Sequence, residues 1–198
     1  GTILAAGSSF VGGITAVAAV VVLAGFVRQR TSATYVLAGI AVKAAAEAFV
    51  MAMKYFADPD KQLSAIDYWA MGSFANITMD KLRVIFPVFL AGFIGIILLR
   101  WQITLLSLGD DEARMLGMRV NLVRCIVLGF STLLVASTVC VTGIISFIGL
   151  VAPHIARMLL KKSDFGTCIL SGLTGASIMM AADCFARSMA GSEVPISI

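Results

Sequence analysis

The chain has 198 residues, 60% of them hydrophobic and only 13% charged, with a formal net charge of +4. A soluble domain carries about 25% charged residues, and a water-soluble core cannot use the long unbroken apolar stretches found here, so composition excludes an ordinary globular enzyme. It points to an all-α, polytopic transmembrane bundle forming one domain over residues 1–198.

A spanning helix needs about 20 apolar residues. Residues 3–27 qualify and end at Arg28 and Arg30. With no initiator Met, basic leader or cleavage site, this stretch reads as a span and not as a signal peptide. The chain opens inside it and stops at EVPISI in mid-phrase, which reads as a fragment. Residues 35–56 form the second predicted span, in which Gly39, Lys43 and Glu47 are pathway candidates. At 100° per residue, Lys43, Glu47, Val50 and Lys54 fall within an arc of about 60°. A charge at this depth costs about 2.5–3.5 kcal/mol on insertion scales unless paired or wetted. Three readings stay open: an ion pair buried against a neighbouring helix, a polar stripe on a translocation pathway, or a proton relay.

The polar interval 57–83 places Leu63, Ile66, Trp69 and Ala70 on one helical face. Asp58-Pro59 can start a helix, and Tyr68 and Trp69 suit the membrane interface, so a short helix lying on the outer surface is expected. Asn76-Ile77-Thr78 matches a glycosylation sequon, a triplet too common by chance to weigh much. The third span, residues 84–99, ends at Arg100 and Trp101.

Segment 106–119 then interrupts the apolar sequence with Asp110, Asp111, Glu112, Arg114 and Arg119, and Arg124 follows. Gly109 and Asp110 can open a helix whose first turn holds Asp111 and Glu112, where the helix dipole favours negative charge, and Gly117 can close it. A loop that only fixes topology needs no more than basic residues. Acids at a helix start, an apolar face of Ala113 and Leu116, and a break at each end describe a docking element of about two turns.

Residues 125–160 contain no acid, and their 36 residues would make about 54 Å of helix against a hydrocarbon core of about 30 Å. They form two spans, or one span plus a re-entrant piece. Gly143, Gly149 and Pro153 offer places to bend, and the turn is expected at 142–146. The last span, 165–189, carries Asp183 and Arg187 as an i,i+4 pair, giving six spans in all. Starting outside puts nine basic residues, among them Arg100, Arg124, Arg157, Lys161 and Lys162, on one face. The other face receives five: Lys54, Lys61, Lys81, Arg83 and Arg187. The richer face is cytoplasmic by the positive-inside rule, and the charged segment lies on it.

Cys125, Cys140, Cys168 and Cys184 are widely spaced in apolar stretches and read as buried, inert thiols. With His154 the only histidine, no metal constellation forms, and His154 reads as a structural hydrogen-bonding residue. Basic residues never cluster with aromatics on a polar surface, so nucleic acid is not expected as a partner. Small residues four apart, such as Ser171/Gly175 and Gly172/Ala176, allow close helix packing.

LSLGDDEARMLGM, GIISFIGLVAPHIARMLL and AADCFARSMAGSEVPISI resemble, in order and spacing, the permease subunits of bacterial ABC importers for iron-siderophore, haem and cobalamin. The resemblance covers nearly the whole chain and corresponds to the fourth to ninth of the family's usual ten spans. It implies that segment 109–117 is the coupling helix, with Gly109, Asp110, Asp111, Glu112, Ala113, Arg114, Leu116 and Gly117 gripped by a cytoplasmic ATP-binding cassette ATPase. It further implies that the second span lines the channel and that Arg187 meets an acid of an extracytoplasmic substrate-binding protein. Gly149, Pro153, His154 and Arg157 belong to the family's most distinctive string. The expected assembly is a permease dimer in the inner membrane, without catalytic residues or cofactor of its own. No G-x-x-x-x-G-K-[ST] occurs in the chain, so ATP hydrolysis is expected on the separate ATPase. The rivals are an ion- or proton-coupled secondary transporter using Lys43 and Glu47 and a membrane module without transport. An ATPase-docking helix serves neither.

Overall fold

The apolar stretches become helices, and two of the breaks among the described residues fall at Gly109 and Gly143. The computed structural model describes residues 2–27, 32–56, 66, 72, 74, 77–145 and 147–189, and all regular structure among them is helical. In chain order the helices are α1 (Thr2–Phe26), α2 (Ser32–Phe56), α3 (Met79–Leu98), α4 (Arg100–Leu108), α5 (Asp110–Met115), α6 (Val120–Thr142), α7 (Ile148–Leu160) and α8 (Phe165–Met189). Among the described residues α2, α3, α6 and α8 are long and apolar enough to cross a membrane, and α1 is apolar over Phe10–Phe26. Most of the expected surface helix lies outside the described residues, as do Arg28, Arg30 and Asn76 of the sequon.

The long run 125–160 divides where the glycine predicts, at Gly143, but unequally. Helix α7 has only 13 residues, about 20 Å, which is less than the hydrocarbon thickness. The five residues 143–147 before it can add at most about 16–18 Å, so this stretch reaches across only as a broken segment. The break is tightly specified. Gly143 has φ 74°, and Phe147, a bulky residue, stands in the left-handed region at φ 66°, a conformation that costs on the order of 1–3 kcal/mol and needs surrounding structure to hold it. Gly72 supplies part of that structure: a Cβ there would lie 2.7 Å from both the Ile144 carbonyl oxygen and Ile145 Cγ1. Bare backbone from the polar interval is therefore seated on the break.

Helix α6 is the centre of the first group, packed between α1 and α3, while α2 packs on α1. Small residues make these approaches. A Cβ on Gly95 of α3 would overlap the Phe130 ring of α6, and a Cβ on Gly13 of α1 would be 3.1 Å from Ala136 Cβ. Helices α7 and α8 form a second close pair, with Ala152 and Ala156 buried between them and the Thr174 hydroxyl 3.3 Å from the Ala152 carbonyl oxygen. The expected small-residue contact is made at Gly175, whose Cβ would be 3.4 Å from that of Ala152. Helix α4 joins this pair to the rest through its contact with α8. Between α3 and α8 lies an apolar cleft of about 560 Å³, lined by residues such as Phe93, Ile97, Phe165 and Leu173.

Buried positions are mostly small, and large apolar side chains such as Phe49, Met51 and Leu173 face outward. That corrects the expectation for the cysteines. Cys125, Cys168 and Cys184 are exposed and Cys140 is half-buried, and none of the four forms a disulfide. In a membrane bundle an apolar stretch has no need to hide from its surroundings, so apolar sequence context does not imply burial in protein. Hydroxyls inside the helices bond back to the preceding turn, as Ser137 does to the Leu134 carbonyl at 2.8 Å, which lets an apolar helix carry them.

Candidate functional site: the glycine-bracketed helix

The charged segment folds as a separate short helix because glycine lets the backbone turn sharply at each end. Gly109 precedes α5 with φ 123° and ψ 161°, a conformation closed to side-chain-bearing residues. Gly117 follows with φ 82°. Its N–H donates to the Arg114 carbonyl at 2.9 Å, and the Met118 N–H donates to the Ala113 carbonyl at 3.1 Å. These two bonds are the Schellman closure, which satisfies carbonyls that the helix end would otherwise leave open. The helix is shorter than the sequence suggests, at six residues, because the last expected turn is spent on this closure.

The expected apolar face is divided. Ala113 is fully buried, and α5 packs on α6, whose first turn holds the buried Val120 and Val123. Leu116 is 63% exposed and Met115, which the sequence reading passed over, is 88% exposed. Asp111, Glu112 and Arg114 are also exposed. One side of α5 is thus pinned to its own chain. The other offers a mixed charged and apolar surface.

Asp110 behaves differently from its neighbours. Its carboxylate is 2.5 Å from Nη2 of Arg124 on α6, and the two side chains are only 25% and 11% exposed. The Arg124 guanidinium also lies over the ring of Tyr35 on α2, 5.3 Å from its centroid. Sequence reasoning counted Arg124 among the topology-setting cations and gave Tyr35 no role. No local spacing connects positions 35, 110 and 124, so only the fold brings them together.

The remaining candidates are dispersed. Lys43 and Glu47 do pair, at 3.4 Å, yet their side chains are 74% and 67% exposed, so the pair is not buried against a neighbouring helix of this chain. Gly39, one turn earlier, has open space where a side chain would stand. Arg187 Nε is 2.9 Å from Asp183 Oδ2 on the last turns of α8, with the arginine 65% exposed, whereas Glu193 and Pro195 lie outside the described residues. Gly149, Pro153, His154 and Arg157 all sit on α7. Pro153 lacks the N–H that would bond the Gly149 carbonyl, so the two positions mark one weakened turn. The imidazole of His154 is exposed and makes no hydrogen bond among the described residues, contrary to the role expected of it. The Arg157 carbonyl accepts the Lys161 N–H at 2.8 Å, where Lys161 closes α7 at φ 50°.

Asp164 was also missed, although D-x-x-T before an apolar run is a helix-start pattern. Its Oδ1 accepts the Thr167 backbone N–H at 3.0 Å and caps α8. That hydrogen bond, helped by the Thr167 hydroxyl and the nearby Lys162 charge, holds the carboxyl below its ordinary value against the opposing effect of desolvation.

The described residues thus form an all-α arrangement in which four helices are long and apolar enough to cross a membrane and a short, glycine-closed charged helix stands between two of them. The FecCD transport family model matches residues 2–198, and the chain belongs to that family. It is 35% identical over 170 residues to the molybdate import system permease protein of Haemophilus influenzae, covering 86% of this chain and 50% of that protein. It is 36% identical over 167 residues to the hemin transport system permease protein of Yersinia pestis, covering 84% of this chain and 50% of that one. The chain therefore spans about half the length of these curated relatives. A solved structure described as an inward-facing conformation of a metal-chelate type ABC transporter matches with a TM-score of 0.81 at 30% identity, covering 97% of this chain and 68% of that one.

Proposed function

We propose that this chain belongs to the membrane-spanning subunit of an ATP-driven importer, gripped through α5 by a separate cytoplasmic ABC ATPase. The observation that carries the reading is the two-sided build of α5. Ala113 and Asp110 anchor it to its own chain, while Asp111, Glu112, Arg114, Met115 and Leu116 face away. A surface helix that only set topology would need neither the glycine closures nor exposed Met115 and Leu116.

The cargo is of metal-chelate type, an iron-siderophore, haem or cobalamin, moved inward across the bacterial inner membrane. The hemin permease relative and the metal-chelate transporter of like fold support that class, whereas the molybdate permease relative is named for an oxyanion. In this reading the N-terminal end of the chain is outside, α5 is in the cytoplasm, and Arg187 faces an extracytoplasmic substrate-binding protein. A second permease copy completes the assembly and gives α2, with Gly39, Lys43 and Glu47, a pathway to line. The exposed Lys43–Glu47 pair also fits a second reading, an ion-coupled secondary transporter, but that mechanism leaves α5 without a task.

The test is a double charge reversal, Glu112→Lys with Arg114→Glu, in the full-length permease. Membrane insertion should persist while the ATPase no longer co-purifies and transport is abolished. Retention of both would rule out α5 as the grip.

A further inference from the structure

A six-residue helix closed by glycines is a poor transmitter by itself, since Gly109 and Gly117 are the joints at which an applied push would be absorbed. The structure contains a connection that bypasses the second joint. Asp110 stands before Gly117 and Arg124 after it, and their largely shielded ion pair fixes the start of α5 to the base of α6. Such a pair is less screened than one on the open surface and holds its geometry better. Arg124 then continues the connection sideways, with its guanidinium over the Tyr35 ring. The helix packing of α2 is with α1, so Tyr35 gives α2 a side-chain link to α6 and, through Arg124, to α5.

We propose that Asp110, Arg124 and Tyr35 form the lever by which movement of α5 reaches α2. The inference rests on the reading of α5 as the ATPase grip and adds positioning residues that act through it. Placement on α2 is what makes the link consequential. Tyr35, Gly39, Lys43 and Glu47 follow at four-residue intervals and wind over an arc of about 120° at 100° per residue. A displacement at Tyr35 therefore enters α2 one turn before Gly39 and about 40° around the helix from it, and two to three turns before Lys43 and Glu47. A cation–π contact suits the joint because the guanidinium can slide over the ring face without losing attraction, whereas a second directional hydrogen bond would break.

The experiment uses the full-length permease assembled with its ATPase, in a background without native cysteines. Gly39→Cys reports on α2 through its rate of labelling by a membrane-impermeant maleimide, with and without ATP plus vanadate. The assembly with Tyr35 and Arg124 intact should show a several-fold nucleotide-dependent change in that rate. Tyr35→Leu should reduce the change to background while the ATPase still co-purifies and hydrolyses ATP. Tyr35→Phe, which keeps the ring face, should retain it. Persistence of the change in Tyr35→Leu would overturn the lever, and so would its loss in Tyr35→Phe. Loss of ATPase binding in Tyr35→Leu would overturn it too, because the contact would then only shape the docking helix. If the unaltered permease bound its ATPase but showed no change at position 39, the lever would fall and the grip would stand. Failure of that permease to bind the ATPase at all would refute both.

Discussion

Asp164 shows how a single side chain sets an element in place. It is the first acceptor of α8, and the Thr167 N–H it binds would otherwise be an open donor at the helix start. Thr167 itself is buried, with its hydroxyl 2.9 Å from the Lys162 carbonyl, so the cap ties the α7–α8 turn together. Because the folded-state pKa of Asp164 is depressed, its contribution is fully present above the unfolded carboxylate value of about 3.9. It is lost as the pH falls through the still lower folded value. Thermal unfolding of the purified permease with and without Asp164→Ala should differ at neutral pH. The gap should narrow as the medium is taken below about pH 4. A gap of constant size across that range would show that the charge on the carboxylate plays no part.

At the scale of elements, the break between α6 and α7 governs the topology. Neither helix explains it alone. Gly143 permits the turn, the left-handed Phe147 redirects the chain, and Gly72 brings a second backbone against Ile144 and Ile145. The six-span reading has both α6 and the 143–160 segment cross the membrane, which puts positions 119 and 162 on one side. Single cysteines placed at these positions, in a background without the native ones, should both react with impermeant reagents from the cytoplasm alone. Labelling from opposite sides would mean that the residues between them cross only once. The existence of the break was legible because length and glycine are local properties of sequence. Its unequal halves were not, since residue 72, far away in the chain, is what packs against Ile144 and Ile145 just beyond the end of α6. The same distinction runs through the charged segment. Gly109 and Gly117 announced the ends of α5, and acids at its start announced its polarity. The inward turn of Ala113 and the outward turn of Leu116 depended on how α5 lies against α6. Asp110, Arg124 and Tyr35 belong to three different helices, and nothing in their spacing brings them together.

At the scale of the whole molecule, the two ends of the importer reading must respond separately. Arg187 lies on α8, whereas α5 packs on α4 and α6, so the two proposed docking points occupy different elements. Arg187 is held by Asp183 at 2.9 Å yet remains mostly exposed. That arrangement fixes the guanidinium's position while leaving donors free for an incoming carboxylate, which arginine can bind through two parallel hydrogen bonds. Arg187→Glu in the full-length permease should weaken docking of the substrate-binding protein and leave ATPase co-purification unchanged. An exposed ion pair is worth only about 0–1 kcal/mol, so a modest loss would not separate direct contact from general surface electrostatics. Rescue separates them. Changing the partner acid to arginine should restore binding to the Arg187→Glu permease and to no other charge-reversed variant. Full binding by the single Arg187→Glu permease would remove Arg187 from the interface altogether.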